Sequence, residues 1–299
     1  MSLLNKMIVL TMPVIPRAIV RLVSKRYIAG DSLPDAIRTV KQLNTQGMVA
    51  TLDVLGESAA KAEESAAAVE EYFRVLDAID KERLDCNVSV KPTQLGMLID
   101  KKLCYENIEK IVQKANLYKN FVRIDMEDSS VTSDTIDLFL QLKKEYDQVG
   151  IVIQAYLRRS IDDVNRLARL KTNFRLCKGI YIEPREIAYK HPDIIVQNFA
   201  FLVEKTLRAG CYIGIATHDE KVVWESLRII DRLGCKRDAF EFQMLLGVDE
   251  QLRKILVDAG YKLRVYVPYG RQWYAYSMRR LKENPKIAFY IIKAFFGIK

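Results

Sequence analysis

Short runs rich in β-branched and aliphatic residues recur along the chain, each followed by a longer stretch whose apolar positions repeat every three to four residues. The runs are 47–55 (GMVATLDVL), 86–92 (CNVSVKP), 121–127 (FVRIDME), 150–157 (GIVIQAYL), 173–181, 211–218, 239–245 and 262–268. Their length and residue types predict strands. After the first run, residues 57–79 set Ala60, Val69, Phe73, Leu76 and Ile79 on one stripe with Glu and Lys opposite, which predicts an amphipathic helix. Similar helical patterns follow at 104–118, 131–147, 160–170, 194–209, 220–233, 249–259 and 272–283. Eight strand–helix alternations over about 240 residues predict right-handed βαβ units closed into a (β/α)8 barrel, an α/β fold of the TIM type. A doubly wound sheet is the competing architecture. It is disfavoured, with any P-loop, because the sequence holds neither G-x-G-x-x-G nor G-x-x-x-x-G-K-[ST]. Residues 1–45 predict a helical extension before the repeat. Residues 46–299 predict one catalytic barrel with an amphipathic tail, since no low-complexity linker divides them.

In a barrel, chemistry collects where strands end and βα loops begin. Those ends carry Asp53, Lys91, Asp125 with Glu127, Gln154 with Tyr156, Arg175 with Lys178, Thr217 with His218, Gln243 and Tyr266. Any one of them could be a structural ion pair. Their repetition at one end of eight apolar strands is hard to explain by stability, because a buried charge is unfavourable unless paired. The string YGRQWYAYSMRRLKENP (269–285) adds Tyr276, Arg279, Arg280 and Glu283 at i, i+3, i+4 and i+7, one face of a helix. Adjacent guanidiniums can grip a carboxylate bidentately, and Glu283 can hold one of them in place. Tyr276 and Tyr266 could wall an apolar ring beside that carboxylate. The plainer alternative for an Arg-Arg pair is a solvated face.

Charge changes the picture at the ends. The 299 residues carry a net charge of +9, and most of the excess is terminal. Residues 1–30 hold Lys6, Arg17, Arg21, Lys25 and Arg26 without an acid, and residues 284–299 hold Lys286, Lys293 and Lys299 without one. With the apolar runs 7–10 and 289–292 beside them, the termini suit either peripheral contact with an anionic membrane or helices packed on the barrel with a solvated basic edge. No apolar run reaches the roughly 18 residues a membrane span needs. Five widely spaced cysteines without a CxxC pair exclude a disulfide framework and predict small buried hydrophobes in a reducing cytoplasm. Two histidines, His191 and His218, leave no histidine-based metal site, and no nucleic-acid-binding pattern occurs.

The string Arg279-Arg280-Leu281-Lys282-Glu283-Asn284 resembles the closing RRLxEN motif of the proline dehydrogenases. Further matches run in order along residues 45–286: VSVKPTQLG around Lys91, RIDMED around Asp125, VIQAY around Gln154, RLCKGIY from Arg175, ATHD around His218, and FEFQMLLG. The resemblance implies a distorted barrel with non-covalent FAD that oxidises L-proline to Δ1-pyrroline-5-carboxylate by hydride transfer to flavin N5, the first step of proline catabolism. It also implies a membrane quinone as electron acceptor and, without a fused aldehyde dehydrogenase, the monofunctional bacterial form.

Carried over by position, Arg279, Arg280 and Lys91 would bind the proline carboxylate. Asp125 would support it across the pocket, and Arg175 would stand at the flavin; these two are the catalytic residues implied. Leu245, Tyr266, Tyr276 and Tyr181 would enclose the ring. Met126 and Gln154 would contact the isoalloxazine. Lys178, Gly179, Ile180 and Tyr181 would follow the cofactor chain, and Thr217 and His218 its ribityl-pyrophosphate or adenylate part. Glu57 resembles an acid that pairs with the first Arg and closes the pocket. Read from the residues alone, a Schiff-base reaction at Lys91 or Lys178 is a second enzyme class, and a membrane-docking barrel is a non-enzymatic one.

Overall fold

The computed structural model describes residues 17–56 and 58–283, without the side chains of 18, 19, 22, 23 and 279–283. Two helices, α1 (Arg17–Ser24) and α2 (Leu33–Thr45), precede a regular alternation. It runs β1 (Val49–Val54), α3 (Ala62–Lys81), β2 (Cys86–Val90), α4 (Lys101–Leu117), β3 (Val122–Ile124), α5 (Thr132–Lys143), β4 (Val149–Gln154) and α6 (Ser160–Ala168). The second half is β5 (Asn173–Cys177), α7 (Pro192–Arg208), β6 (Ile213–Ala216), α8 (Glu220–Leu233), β7 (Phe240–Leu245), α9 (Glu250–Asp258), β8 (Leu263–Tyr269) and α10 (Trp273–Glu283). All eight strands are parallel, each pairs with the next, and β8 closes on β1. The predicted α/β barrel is what forms.

Alternation along each strand sorts the chemistry. Outward positions are apolar, such as Leu52, Val88 and Val90, Ile124, Ile151, Phe174, Ile213, Phe242 and Val265, and all are buried under the helix ring. Inward positions are largely polar: Thr51 and Asp53, Asn87 and Ser89, Arg123, Gln154, Arg175, Glu241 and Gln243, Arg264 and Tyr266. Contacts between non-adjacent strands prove the direction, since Arg175 on β5 reaches Ser89 on β2, and Tyr266 on β8 reaches Asp125 beyond β3. Such pairs can meet only through the lumen.

The outer ring departs from simple repetition at one place. Helix α2 lies in the groove over β8 and β1, burying Ala36, Val40 and Leu43, where a helix following β8 would ordinarily sit. Its start is fixed by a capping box between Ser32 and Asp35 and by Pro34 in the first turn. Helix α10 is thereby displaced and packs on α1 instead. The guanidinium of Arg17 stacks 4.8 Å from the Tyr274 ring and that of Arg21 4.5 Å from Trp273, while Tyr27 meets Tyr276 with centroids 6.4 Å apart. Two of the N-terminal basic residues thus face aromatic partners in the protein itself. Among the described residues, no helix is long and apolar enough to cross a membrane.

Candidate active site

The C-terminal ends of the strands and α10 surround a cavity of about 970 Å³. That is the upper end of the range for small-molecule sites. Its lining includes Lys91, Asp125, Met126, Gln154, Arg175, Lys178, Gly179, Ile180, Tyr181, Thr217, His218, Leu245, Tyr266 and Tyr276. Most candidate residues whose side chains are described therefore face one space; Asp53 lies buried beneath Lys91, and Tyr156 packs with Leu157 and Ala188 instead of lining the cavity. Arg279, Arg280 and Glu283 follow Tyr276 along the α10 backbone, but their side chains lie outside the described residues, as does Glu57 altogether.

Several of these groups occur where strands stop early. Strand β3 ends at Ile124 rather than running to 127, which frees Asp125, Met126 and Glu127 to turn over the barrel end; β5 ends at Cys177, which frees Lys178 to Tyr181. Glu127 then ties two loops together by accepting from the Thr93 amide at 2.8 Å and the Thr93 hydroxyl at 2.6 Å.

A connected polar network forms the floor. Lys91 pairs with the fully buried Asp53. Its Nζ lies 3.4 Å from the Tyr266 hydroxyl, which donates to Asp125 Oδ2 at 3.0 Å. Asp125 Oδ1 accepts from Arg175 at 2.7 Å and from the Ser89 hydroxyl at 2.6 Å. Arg175 Nε donates to Gln243 Oε1 at 2.6 Å, and its guanidinium lies 5.2 Å from the centre of the Tyr266 ring. Burial works to lower the Lys91 ammonium, but the carboxylates of Asp53 and Asp125 outweigh it and hold it above its ordinary value. Burial, reinforced by Asp125 and Asp53, raises the Tyr266 phenol so that it stays a donor. A lysine held protonated is a poor Schiff-base nucleophile, so that alternative loses Lys91. Lys178 is paired with Asp219, the N-cap of α8.

The lining fits a large, flat, charged cofactor. Gln154 donates to the Met126 carbonyl at 3.3 Å, while its buried Oε1 has no partner among the described residues and can accept an N–H from a bound ring. Gly179 has φ +100°, and a Cβ there would stand 2.2 Å from the Tyr156 ring, so the loop can follow a ligand closely only as glycine. His218 Nε2 accepts from the Leu245 amide at 2.8 Å, which joins the β6 and β7 ends. Among the described residues, no group of His, Cys, Asp and Glu is placed to hold a metal.

Some site residues escaped the reading of strand ends. Glu241 and Ser89 sit one step below the mouth, and Asp219 lies in the loop after Thr217. For the first two a signal exists: Glu241 precedes Gln243 by two positions, and Ser89 precedes Lys91 by two, so each shares a strand face with a recognised residue.

The sequence profile of the family described as proline dehydrogenase matches residues 36–289. The chain is 40% identical to proline dehydrogenase 2 of Bacillus subtilis over 270 residues, covering 90% of this chain and 89% of that one. It is 38% identical to the proline dehydrogenase of Deinococcus radiodurans, with 90% and 89% covered. Among solved structures, proline utilization A of Bdellovibrio bacteriovorus inactivated by N-propargylglycine superposes with a TM-score of 0.81 at 28% identity. The overlap covers 86% of this chain and 32% of that much longer one.

Proposed function

The chain belongs to the proline dehydrogenase family and is an enzyme of that activity, converting proline to Δ1-pyrroline-5-carboxylate; we propose that it does so with non-covalently bound FAD and passes the electrons to a membrane quinone. The observation that carries the flavin reading is Arg175, a buried guanidinium fixed between Asp125 and Gln243 on the cavity floor. When bound, FAD would supply a two-electron acceptor for the hydride that leaves proline C5. Arg175 contributes a fixed positive charge that needs no reorganisation as electrons arrive. Asp125 receives three donors, from Arg175, Ser89 and Tyr266, and so acts by holding the floor rigid.

Met126 and the free Oε1 of Gln154 would face the isoalloxazine. Lys178, Gly179, Ile180 and Tyr181 would follow the cofactor chain, and Thr217 and His218 its far end. Lys91, with Arg279 and Arg280 from α10, would bind the substrate carboxylate, while Leu245, Tyr266 and Tyr276 enclose its ring. This cationic lining also disfavours the ammonium form of proline, whose nitrogen must be unprotonated for C5 to give up hydride. Peripheral membrane contact is supported by the acid-free basic termini beside apolar runs, a cytoplasmic location by the free cysteines, and the quinone acceptor by membership of the family.

An anaerobic visible spectrum before and after L-proline tests the reading. A flavin band that bleaches with proline is expected; a colourless protein, or a band proline leaves untouched, overturns it. In the same assay, Arg279→Ala with Arg280→Ala should raise KM for proline by about tenfold or more, since charge-assisted contacts contribute roughly 1.5–3 kcal/mol each.

A further inference from the structure

Beneath the cavity a chain of contacts continues down the barrel. Gln243, which accepts from Arg175, donates through Nε2 to Glu241 Oε1 at 2.7 Å. Glu241 is held in turn by Arg264, through Nε at 2.6 Å and Nη2 at 3.2 Å. Gln243 lines the cavity; Glu241 does not, and it is 2% exposed. An amide side chain fits its space in two orientations, and its partners choose between them. A carboxylate can only accept. Glu241 therefore takes the NH2 end of Gln243 and leaves the carbonyl end for Arg175. Burial would raise the Glu241 carboxyl, but Arg264 and Lys262 outweigh it and bring it down to about 2, so the acceptor is permanent at neutral pH. Space constrains the amide as well: a Cβ on Gly214 of the neighbouring β6 would stand 2.2 Å from Gln243 Nε2.

We propose that Glu241 is a positioning residue for the redox step, fixing the Gln243 amide so that its carbonyl aims the Arg175 guanidinium at the cavity. The proposal rests on the reading that a flavin binds there. A reversed amide would turn its NH2 group on Arg175, donor against donor, and Arg175 would keep Asp125 and Ser89 as hydrogen-bond acceptors. A less fixed positive charge stabilises two added electrons less, so the midpoint potential of the bound cofactor should fall.

Spectroelectrochemical titration of the holoenzyme, beside proline:dye kinetics and a thermal melt, tests this. Glu241→Gln is expected to lower the potential by about 30 mV, a tenfold change in a two-electron equilibrium, and to lower kcat while leaving KM for proline unchanged. Glu241→Asp keeps the obligate acceptor and should restore most of the potential. Because Glu241→Gln also strips Arg264 of its counter-charge and can fail to fold, Gly214→Ala offers a second route: it displaces the amide without changing charge and should move the potential the same way. In a Gln243→Met background, Glu241→Gln should add no further shift. A potential unmoved in the folded variants, with only the melting temperature lowered, overturns the proposal, as does an additive shift on Gln243→Met. A wild-type protein without flavin overturns the functional reading instead.

Discussion

Single residues in this barrel are defined by what they are paired with. Asp53 is completely buried, and its carboxylate pairs with the Lys91 ammonium. Lys91→Met should therefore lower stability by about 3–5 kcal/mol, the usual effect of leaving a buried charge without its mate. Asp53→Asn on top of it should recover part of that loss, which differential scanning calorimetry would show. Glu241 gives a pH signature. Its carboxyl is held below its ordinary value in the folded chain, so its contribution is complete above about pH 4.5 and is lost as pH falls toward about 2. Acid melts of the wild type should fall more steeply in that interval than those of Glu241→Gln. Sequence showed Lys91, Asp125 and Arg175 because they close apolar runs. It did not show Glu241 as part of the site, because a polar residue inside a strand reads equally as a solvent-facing position until closure of the barrel puts it indoors.

Elements are legible to different degrees. Strands announced themselves by β-branched composition, and the 57–79 stripe located α3, whose buried face includes Val69, Leu76 and Ile79. Strand ends were less clear: runs such as 121–127 and 173–181 continue past β3 and β5 because Met126, and Ile180 with Tyr181, prolong the apolar pattern over the barrel mouth where no strand pairing continues. Helix periodicity tells which face is buried but not which groove receives it, so the seating of α2 over β8 and β1 could not be read. Caps permit a test at this scale. Asp219 caps α8 by accepting from the Lys221 amide at 2.9 Å and also pairs with Lys178 beside the cavity, whereas Asp100 caps α4 through Lys102 and Leu103. Asp219→Ala and Asp100→Ala should each lower stability by about 1 kcal/mol. Only the first should alter FAD affinity, measured by titrating the apoprotein.

At the scale of the whole molecule, the barrel resolves two conflicting demands. Its outside must be apolar to hold the helices, and its inside must carry charge to hold a ligand; strict alternation along each strand satisfies both, and paired charges keep the interior tolerable. Because α2 already seals the seam between the last and first strands, nothing in the wall depends on the helix that crosses the entrance. That helix is fastened by the guanidiniums of Arg17 and Arg21 on α1 and by the Tyr27 ring just after it, and could lift without breaking the closed ring of strands. Admission of a bulky guest then becomes a matter of unlatching a door while the walls stand: backbone amides of α10 should exchange with deuterium well before those of β1 and β8, and a filled chamber should slow the former alone.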